Sequence, residues 1–381
     1  MTAVAPAGIT HVATGETLRL RDATLNDNDA LIELTAACTM HGDLALRMDR
    51  SPDFFALNRL EGNATRVGVV TDSAERIVGC VACARRTVYV NGLESEIMYA
   101  SDLKVHPSAR RSGAADLLTR YTRDVFVELV GVHAPVVCTI LAGNKAMERR
   151  TRGPRGAAAL SRFATLSVLA IPWLRERRER VAGIRVDTAT EQDLEAMIAT
   201  WRRYAATRQF ADVWNEDSLA AWIDQAPGLT LADYLVARDT AGRVRGFLGV
   251  WDQSAFKQMR VVSYSPRLAM VRHAINLVAP LVGSVPLPAA GAVLPALATV
   301  HVCAEEPLVL RALLLEAYRR HRSRRCAFLT IGLDTRDPLL TAARGLFAQP
   351  TFVHAYVTTA AGSADPSVFS GRLLHHETAL V

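Results

Sequence analysis

Hydrophobic and polar residues alternate along the first 141 residues in a way that predicts both strands and helices. Period-two alternation and Val-rich runs indicate strands, whereas apolar residues three and four apart indicate an amphipathic helix. Acidic or Ser-Pro starts indicate where helices begin. In chain order the predicted elements are strand 17–23, helix 25–39, helix 51–62, strands 66–71, 77–90 and 94–105, helix 114–130 and strand 135–141.

A second cycle of the same pattern begins at Gly183. The segment GIRVDTATEQDLEAM (183–197) mirrors LRLRDATLNDNDALI (18–32), since both run from a strand through Ala-Thr into an acidic helix start. A hairpin at 232–251, a strand at 297–302, a helix at 308–321 and a strand at 326–333 follow. We therefore expect an α+β fold with a mixed, mostly antiparallel sheet flanked by helices, in two copies in tandem.

Composition shifts suggest where the two copies meet. Residues 148–182 are rich in arginine and contain Gly153-Pro154 and Pro172, as expected near a hinge. We predict a mobile leader at 1–15, a first domain at 16–172, a linker at 173–183, a second domain at 184–360 and a C-terminal tail at 361–381.

Charge and cysteine usage narrow the class of protein. Half of the residues are hydrophobic and 22% are charged, which is typical of a globular protein. The formal net charge is +6, but aromatic residues are only 6% and do not alternate with basic ones, so we expect no nucleic-acid partner. The six cysteines are scattered, which favours free thiols in a reducing compartment; we expect no metal and a cytoplasmic location.

One stretch could be taken for a membrane span. Residues 274–300 carry no charge and are long enough to cross a bilayer. Pro280, Pro286, Pro288 and Pro295 lie within it, and proline breaks helices. We therefore predict a buried loop and strand there and expect no membrane partner.

The segment from Asp102 to Asp116 carries the clearest chemical signal. A predicted strand ends at Val105, Pro107 breaks it, and a turn of the form R-x-x-G-x-A leads from Arg110 to the helix that begins near Ala114. Small residues let a ligand approach the backbone, and the free N–H groups of a first helical turn favour phosphate. Arg110 and Arg111 can add charge-assisted hydrogen bonds. These features predict a phosphate-binding turn, with an ordinary tight strand–helix turn as the alternative.

With L-x-V-x-P immediately upstream, this segment resembles motif A of the GNAT superfamily of N-acetyltransferases. The resemblance, together with the element order, implies the acyl-CoA N-acyltransferase fold with acetyl-CoA as co-substrate. It implies that the backbone of Leu103 to Val105, with Lys104 between them, pairs with the pantetheine arm. The residues implied to hold the pyrophosphate are Arg110, Arg111, Ser112, Gly113, Ala114 and Ala115.

Two further features bear on cofactor binding. Asn144 follows the strand 135–141 in a segment similar to the family's N-x-x-A, so it either contacts CoA or caps the next helix. The arginines at 149, 150, 152 and 155 either meet the 3′-phosphate of CoA or form solvated surface.

The acid and base are less clearly marked than the cofactor site. Amide formation requires a base for the incoming amine and an acid for the departing thiolate. The family's frequent glutamate position falls near Tyr99, so the catalytic candidates are Tyr99, Glu96 and Asp102, and a β-bulge would change which of them faces the ligand. The tyrosine that many relatives carry after Asn144 is missing, which leaves Tyr99 or water as the acid.

The second half lacks this turn. The corresponding segment, Val300 to Leu308, has no glycine and contains Glu305 and Glu306, which would repel phosphate. We expect a degenerate second domain without CoA.

The sequence therefore predicts an N-acetyltransferase acting on an amine acceptor, small molecule or protein, through its N-terminal domain. A catalytically weak acyl-CoA-binding or regulatory protein is the alternative. The resemblance also allows a homodimer, while the acceptor, the acyl chain length and the role of the second domain stay open.

Overall fold

The computed structural model describes residues 9–13, 16–40, 42–153, 159–174, 177–282, 285–322, 326–362 and 364–381. Its strands are β1 (Ile9–Ala13), β2 (Glu16–Asp22), β3 (Leu44–Asp49), β4 (Ala64–Thr71), β5 (Ile77–Val90), β6 (Leu93–Val105), β7 (Val136–Leu141), β8 (Ser161–Pro172), β9 (Arg185–Thr188), β10 (Arg208–Gln209), β11 (Tyr234–Arg238), β12 (Val244–Trp251), β13 (Gln258–Tyr264), β14 (Ala296–Ala304), β15 (Phe328–Asp334), β16 (Gln349–Thr358) and β17 (Leu373–Leu374). Its α-helices are α1 (Asn28–Ala37), α2 (Phe55–Asn58), α3 (Ala114–Val130), α4 (Lys145–Arg150), α5 (Leu194–Ala205), α6 (Glu216–Gln225), α7 (Pro266–Val282), α8 (Pro307–His321) and α9 (Ser367–Ser370).

One large sheet runs through the whole molecule. Its thirteen described strands follow the order β1-β2-β4-β5-β6-β7-β16-β8-β15-β14-β12-β11-β9. Within that sheet, the described pairs are antiparallel except β6 with β7 and β14 with β15. The predicted fold class, a mixed and mostly antiparallel sheet flanked by helices, is confirmed.

Helices cover both faces of the sheet around β5 and β6. Leu117, Leu118 and Tyr121 of α3 pack on one face, in a core with Val81 and Cys83. The other face is covered by α1 and the residues around α2, which pack against the neighbouring side chains of β5, Cys80 and Ala82. Side chains of a strand alternate between the two faces of a sheet. Val81 and Cys83 of β5 therefore pack against α3, whereas Cys80 and Ala82 pack against α1 and the residues around α2.

The two predicted repeats begin in the same way. A Thr-x-x-Asp capping box, Thr24 with Asp27 and Thr190 with Asp193, starts each of the two corresponding helices. Each threonine accepts a bond from the aspartate's backbone, and each aspartate accepts one in return, so the local sequence specifies the helix start. This explains why the pattern was visible in the sequence.

The halves are nevertheless interleaved. The strand at the end of the predicted first domain, β8, pairs with β15 and β16, which both belong to the second half. On its other side β16 pairs with β7 of the first half. A separate ribbon of β3 and β13 also joins the two halves. Strands from the two sides of the predicted linker at residues 173–183 therefore alternate within one sheet.

Three local predictions need correction. Residues 9–13 of the predicted mobile leader pair with β2 as a strand. The helix predicted at 51–62 contains only the four α-helical residues of α2. A loop and strand were predicted for 274–300, but the first part of this stretch is helical, because α7 continues through Pro280 to residue 282. No described helix combines the length and apolar character needed to span a bilayer.

Candidate active site

The strands β6 and β7 run side by side for only three residues. They pair in parallel from Met98 opposite Val136 to Ala100 opposite Cys138, and then diverge. Beyond that point β6 continues to Val105 and β7 to Leu141, but the two strands no longer pair with each other. An extended ligand can enter such an opening and pair with the free strand edge. We call this opening between residues 101–105 and 139–141 the β6–β7 cleft.

A β-bulge lies at the mouth of the cleft. From Ser101 to Lys104, β6 has one residue more than the opposing stretch of β5, and Asp102 has a φ of 53°. A bulge leaves its extra residue unpaired and increases the local twist, which helps β6 turn away from β7. The structure therefore contains a β-bulge of the kind that the sequence analysis allowed for among the catalytic candidates. This bulge directs the side chain of Asp102 towards α2.

The turn after β6 has the form predicted from the sequence. Pro107 to Ala109 form a single 3-10 turn, Arg111 and Gly113 have φ angles of 75° and 92°, and α3 begins at Ala114. Among the described residues, the N–H groups of Gly113 and Ala115 have no hydrogen-bond acceptor, whereas that of Ala114 lies 3.3 Å from the Ser112 hydroxyl. Arg110 and Arg111 are exposed. The turn therefore combines free amides, a helix N-terminus and two cations.

The residues after β7 are arranged around this turn. Asn144 caps α4, since its side-chain oxygen accepts a hydrogen bond from the Met147 N–H at 3.2 Å. Arg150 donates to the Ala115 carbonyl at 3.0 Å and to the Asp116 carboxylate at 2.9 Å. Arg150 thus holds α4 against the first turn of α3. Arg149 and Arg152 are exposed, and Arg155 lies outside the described residues.

Tyr99 lies at the apex of the β6–β7 cleft, on the face opposite α3. Its hydroxyl is 2.9 Å from the hydroxyl of Thr139, the first residue of β7 beyond its pairing with β6, and 3.2 Å from Nε2 of His376. Burial raises the pKa of Tyr99 well above its usual range, so the phenol stays protonated. Tyr99 is therefore a neutral phenol whose hydroxyl is held by fixed partners.

Asp102 lies in a dense charged network. Its carboxylate accepts hydrogen bonds from Arg50 at 2.5 Å, from Asn58 at 3.2 Å and from Lys104. Burial opposes ionisation, but the charges of Lys104 and Arg50 outweigh it and hold the pKa of Asp102 well below its usual range. A carboxylate that is so strongly stabilised as an anion is a poor proton acceptor.

Glu61 is the titratable residue that sequence reasoning missed. It is 3% exposed, and its Oε2 accepts hydrogen bonds from the hydroxyl of Ser101 at 2.8 Å and from Asn58 at 3.4 Å. Burial raises the pKa of Glu61 to about 7, and the negative charge of Asp102 adds to the rise. A general base works best with a pKa near the working pH. Glu61 therefore has the property that Asp102 lacks.

Glu96 lies apart from this cluster. It is paired with Arg85 at 3.6 Å, with about half of its side chain exposed. Because Glu96 has the same parity along β6 as Met98, whose side chain packs with α3, it belongs to the opposite face from Tyr99. The structure does not bring Glu96 together with Tyr99 and Asp102.

The second half contributes a lysine to the same cluster. Lys257, just before β13, donates hydrogen bonds to the carbonyl oxygens of Ala379 at 2.9 Å and Val381 at 2.5 Å. Burial lowers the pKa of Lys257 to about 7, and the positive charge of Arg50 lowers it further. Lys257 and Arg50, at the near ends of β13 and β3, bring the two halves together beside Asp102 and Glu61. Among the described residues, no group of three His, Cys, Asp or Glu side chains is placed to hold a metal.

The second half contains a copy of the bulged, diverging strand pair. The strands β14 and β15 pair over three residues only, and His301, with a φ of 51°, marks one extra residue on β14 opposite β12. Here the cleft holds residues of the chain itself. Glu377 accepts the N–H of His301 at 3.0 Å, and Thr378 packs so closely on Gly332 of β15 that a Cβ there would lie 2.2 Å from its methyl carbon.

The turn after β14 also differs from that after β6. Glu306 precedes α8, and Pro307 takes its first position, so no glycine opens the backbone. Glu305 pairs with Arg245 and Arg203. His301 lies within the strand predicted at 297–302 and is buried.

Similar folds occur among solved structures. The sequence matches no protein-family profile, and no curated protein matches it. N-myristoyltransferase from Saccharomyces cerevisiae, solved with bound myristoyl-CoA, has a TM-score of 0.61 at 11% identity, over 89% of this chain and 82% of that one. A GCN5-related N-acetyltransferase from Sphaerobacter thermophilus has a TM-score of 0.60 at 14% identity, over 91% of this chain and 97% of that one.

A third similar structure is a GCN5-related N-acetyltransferase from Anabaena variabilis, with a TM-score of 0.53 at 12% identity, over 90% of this chain and 73% of that one. Identities this low establish similarity of fold only. Together with the sheet order, the bulged and diverging strands and the turn before α3, they show that this chain has the GNAT fold.

Proposed function

We propose that this chain is an N-acyltransferase that binds acetyl-CoA in the β6–β7 cleft of its N-terminal half. The observation that carries the proposal is the continuity of the cleft with the turn at residues 110–115. The cleft offers a free strand edge at Leu103 to Val105, and the turn offers free amides and cations. A CoA thioester has an extended pantetheine arm, which can pair with the strand edge, and a pyrophosphate, which the turn can bind. The similar structures support the same class of reaction.

The charged cluster beside the bulge is suited to the chemistry of amide formation. We assign the role of general base to Glu61. Glu96 and Asp102, the carboxylates that the sequence suggested, take no proton in this mechanism. The amine lone pair attacks the thioester carbonyl carbon while the amine proton passes to the Glu61 carboxylate. The C–S bond then breaks and the thiolate takes a proton from water, while the neutral Tyr99 hydroxyl hydrogen-bonds to the sulfur. Glu61 releases its proton to the solvent, which restores the carboxylate. An unpaired amide of the bulge can stabilise the oxyanion.

Asp102 has a positioning role in this proposal. Its negative charge contributes to the raised pKa of Glu61, and its bonds to Arg50 and Lys104 hold the bulge in place. Lys257 brings the second half to the same cluster, which supports a role for that half in shaping the acceptor pocket.

Calorimetric titration of acetyl-CoA tests the cofactor site. We expect micromolar binding to the wild type and a loss of about 100-fold or more in Gly113→Glu, because a carboxylate would stand where the pyrophosphate binds. Gly131→Glu is a matched control, since Gly131 lies at the other end of α3 with a similar φ of 84° and open space around it. Equal binding by both variants would contradict the proposed site.

Release of free thiol from acetyl-CoA and from longer acyl-CoAs, with a panel of amines, tests turnover. Product formation that is lost in Gly113→Glu and kept in Gly131→Glu supports the transferase. Binding without product from any amine would favour the alternative of an acyl-CoA-binding or regulatory protein.

A further inference from the structure

The helix α7 has its polar and apolar faces reversed. The side chains of Arg272 and Asn276, one turn apart, point towards the protein and donate to backbone carbonyls of Leu287 and Pro288 at 2.9 Å. The Leu287 N–H in turn donates to the Asn276 side chain at 2.7 Å. Of the side chains described on this helix, only Ala279 is buried. A surface helix normally turns its apolar face inward.

The outer face of α7 is apolar. Leu281 is 84% exposed, Leu277 79% and Met270 69%, and Val271 and Val278 are each about half exposed. Met270, Ala274, Leu277 and Leu281 follow one another at intervals of four, three and four residues. That spacing forms a straight seam along one side of a helix and is the pattern by which one helix packs against another.

The size of this surface fits a protein interface. These side chains and Ile275 expose roughly 600 Å² in total, at the upper end of what monomeric proteins leave in one apolar patch. A stable interface buries roughly 800 Å² on each partner. The exposed Val262 on β13 lies on the element that α7 packs against, so a partner seated on α7 can reach that area.

The charges indicate how a partner helix would lie. No carboxylate occurs between residues 253 and 304, and Arg267 lies at the N-terminal end of the seam. A parallel pair would bring the two Arg267 side chains together. An antiparallel pair would place each of them at the C-terminal carbonyl end of the other helix, where a cation is stabilised. A second copy of this chain therefore fits the spacing of the seam, the size of the exposed area and the position of the charges.

We propose that two copies of this chain associate through α7, with the helices antiparallel about a two-fold axis near Ala274. In this arrangement Met270 packs against Leu277 and Val278 of the second copy.

Sedimentation equilibrium at tens of micromolar tests the association. We expect the wild type at twice the chain mass of 41.4 kDa, and the double variant Leu277→Asp/Leu281→Asp at the chain mass. Leu93→Asp is the matched control. Leu93 is 73% exposed in the β5–β6 turn, away from α7, so this variant should stay dimeric. Circular dichroism and acetyl-CoA titration check that the double variant is folded. A monomeric wild type, or a dimeric double variant, would overturn the proposal.

Cysteine cross-linking tests the geometry. Ala274→Cys should form an intermolecular disulfide under mild oxidation, whereas Leu281→Cys should not, since seven residues of helix on each side of the axis separate the two residues 281 by about 21 Å. The unsubstituted chain controls for the native cysteines. Cross-linking at both positions would indicate parallel helices, and cross-linking at neither would exclude this interface.

Flotation with phosphatidylglycerol vesicles tests the other occupant that an apolar and basic helix suits. We expect the wild type to stay with the protein fraction and the vesicles to float without it. Binding of a monomeric wild type to vesicles, lost in Leu277→Asp/Leu281→Asp, would replace the second copy by a lipid surface.

Discussion

Two neighbouring carboxylates in the site have opposite tendencies to ionise, and the cause is what each of them touches. Asp102 accepts hydrogen bonds from Arg50 and Lys104, so its anion is stabilised despite burial. Among the described residues, the donors to the Glu61 carboxylate are the neutral groups of Ser101 and Asn58, and the anion of Asp102 raises its pKa further. Burial therefore dominates at Glu61 and raises its pKa. Pairs of groups whose environments drive their pKa values apart are typical of acid–base sites.

Replacing Glu61 by Gln tests its role as the base. The wild type should show kcat/KM rising with pH through an apparent pKa near 7, because the carboxylate must be ionised to take a proton. In Glu61→Gln we expect kcat lower by about 100- to 10,000-fold and no rise near that pH. Glu96→Gln, on the other face of β6, is the control and should keep the wild-type profile. An unchanged profile in Glu61→Gln would remove Glu61 from the mechanism.

The same residue gives stability a pH dependence that does not involve catalysis. The pKa of Glu61 in the folded chain, about 7, exceeds its ordinary value of 4.5, so between these values the folded protein keeps a proton that the unfolded chain releases. The free energy of unfolding should therefore fall as pH rises from about 4.5 to 7, by a few kcal/mol relative to Glu61→Gln. Urea unfolding of both proteins across this range measures the difference.

At the scale of elements, the sheet under α3 is shaped by a close contact. Gly68 of β4 lies directly beneath the ring of Tyr121, and a Cβ at this position would come within 2.5 Å of the ring carbons. The Tyr121 hydroxyl is bonded to Asp22 of β2, which limits how far the ring can move. Glycine is therefore required here for packing, and the contact sets how α3 lies on the strands that lead to the cleft.

Gly68→Ala should lower the free energy of unfolding by about 1–3 kcal/mol, because the added methyl group forces the ring aside in a packed core. Gly371→Ala is the control: its φ is −69° and a Cβ there meets nothing within 4 Å, so we expect a change below about 0.5 kcal/mol. Chemical denaturation of both variants gives the comparison. Equal stability of the two would show that α3 adjusts to the methyl group without loss.

At the scale of the whole molecule, buried ion pairs join the interleaved halves. Arg86 of β5 and Asp212, between β10 and α6, are held by two hydrogen bonds of 3.1 and 2.7 Å, with side chains only 6% and 16% exposed. Arg86 also lies over the ring of Tyr99, 5.7 Å from its centre. The contact between the halves therefore continues to Tyr99 at the apex of the β6–β7 cleft.

Asp212→Asn should destabilise the protein by about 3–5 kcal/mol, since it leaves the Arg86 guanidinium buried without its counter-charge. Replacing both partners, as in Arg86→Met/Asp212→Leu, should recover part of that loss because no charge stays buried. Glu128→Gln, which breaks the exposed pair with Arg66, should cost less than about 1 kcal/mol. Equal losses for Asp212→Asn and Glu128→Gln in urea titrations would contradict a structural role for the buried pair.

Interactions between residues close in sequence could be predicted without the structure. The bounds of α3 agree with its apolar spacing, and the turn from Pro107 to Gly113 lies where the proline and glycine of the sequence indicated. Tyr99 and Asp102 were chosen by their position on one strand, and the structure places both on the face that carries Glu61. These features depend on a few consecutive residues, so periodicity, capping and turn chemistry specify them.

Contacts between distant residues were decided only by the tertiary structure. Glu61 meets Ser101 across 40 residues, and no local pattern distinguishes a glutamate that will be buried from one that will be solvated. The exchange of β8 and β16 between the halves and the filling of the second cleft by residues 375–381 also depend on long-range pairing. The hydrophobic spacing of α7 does not show which face of the helix packs against the protein. That is decided by the carbonyl groups of residues 287 and 288, which accept hydrogen bonds from Arg272 and Asn276. The sequence by itself determined the strand–helix order and the turn at residues 110–115, whereas the ionisation of Glu61, the exchange of strands and the exposed seam follow from burial and charge in three dimensions.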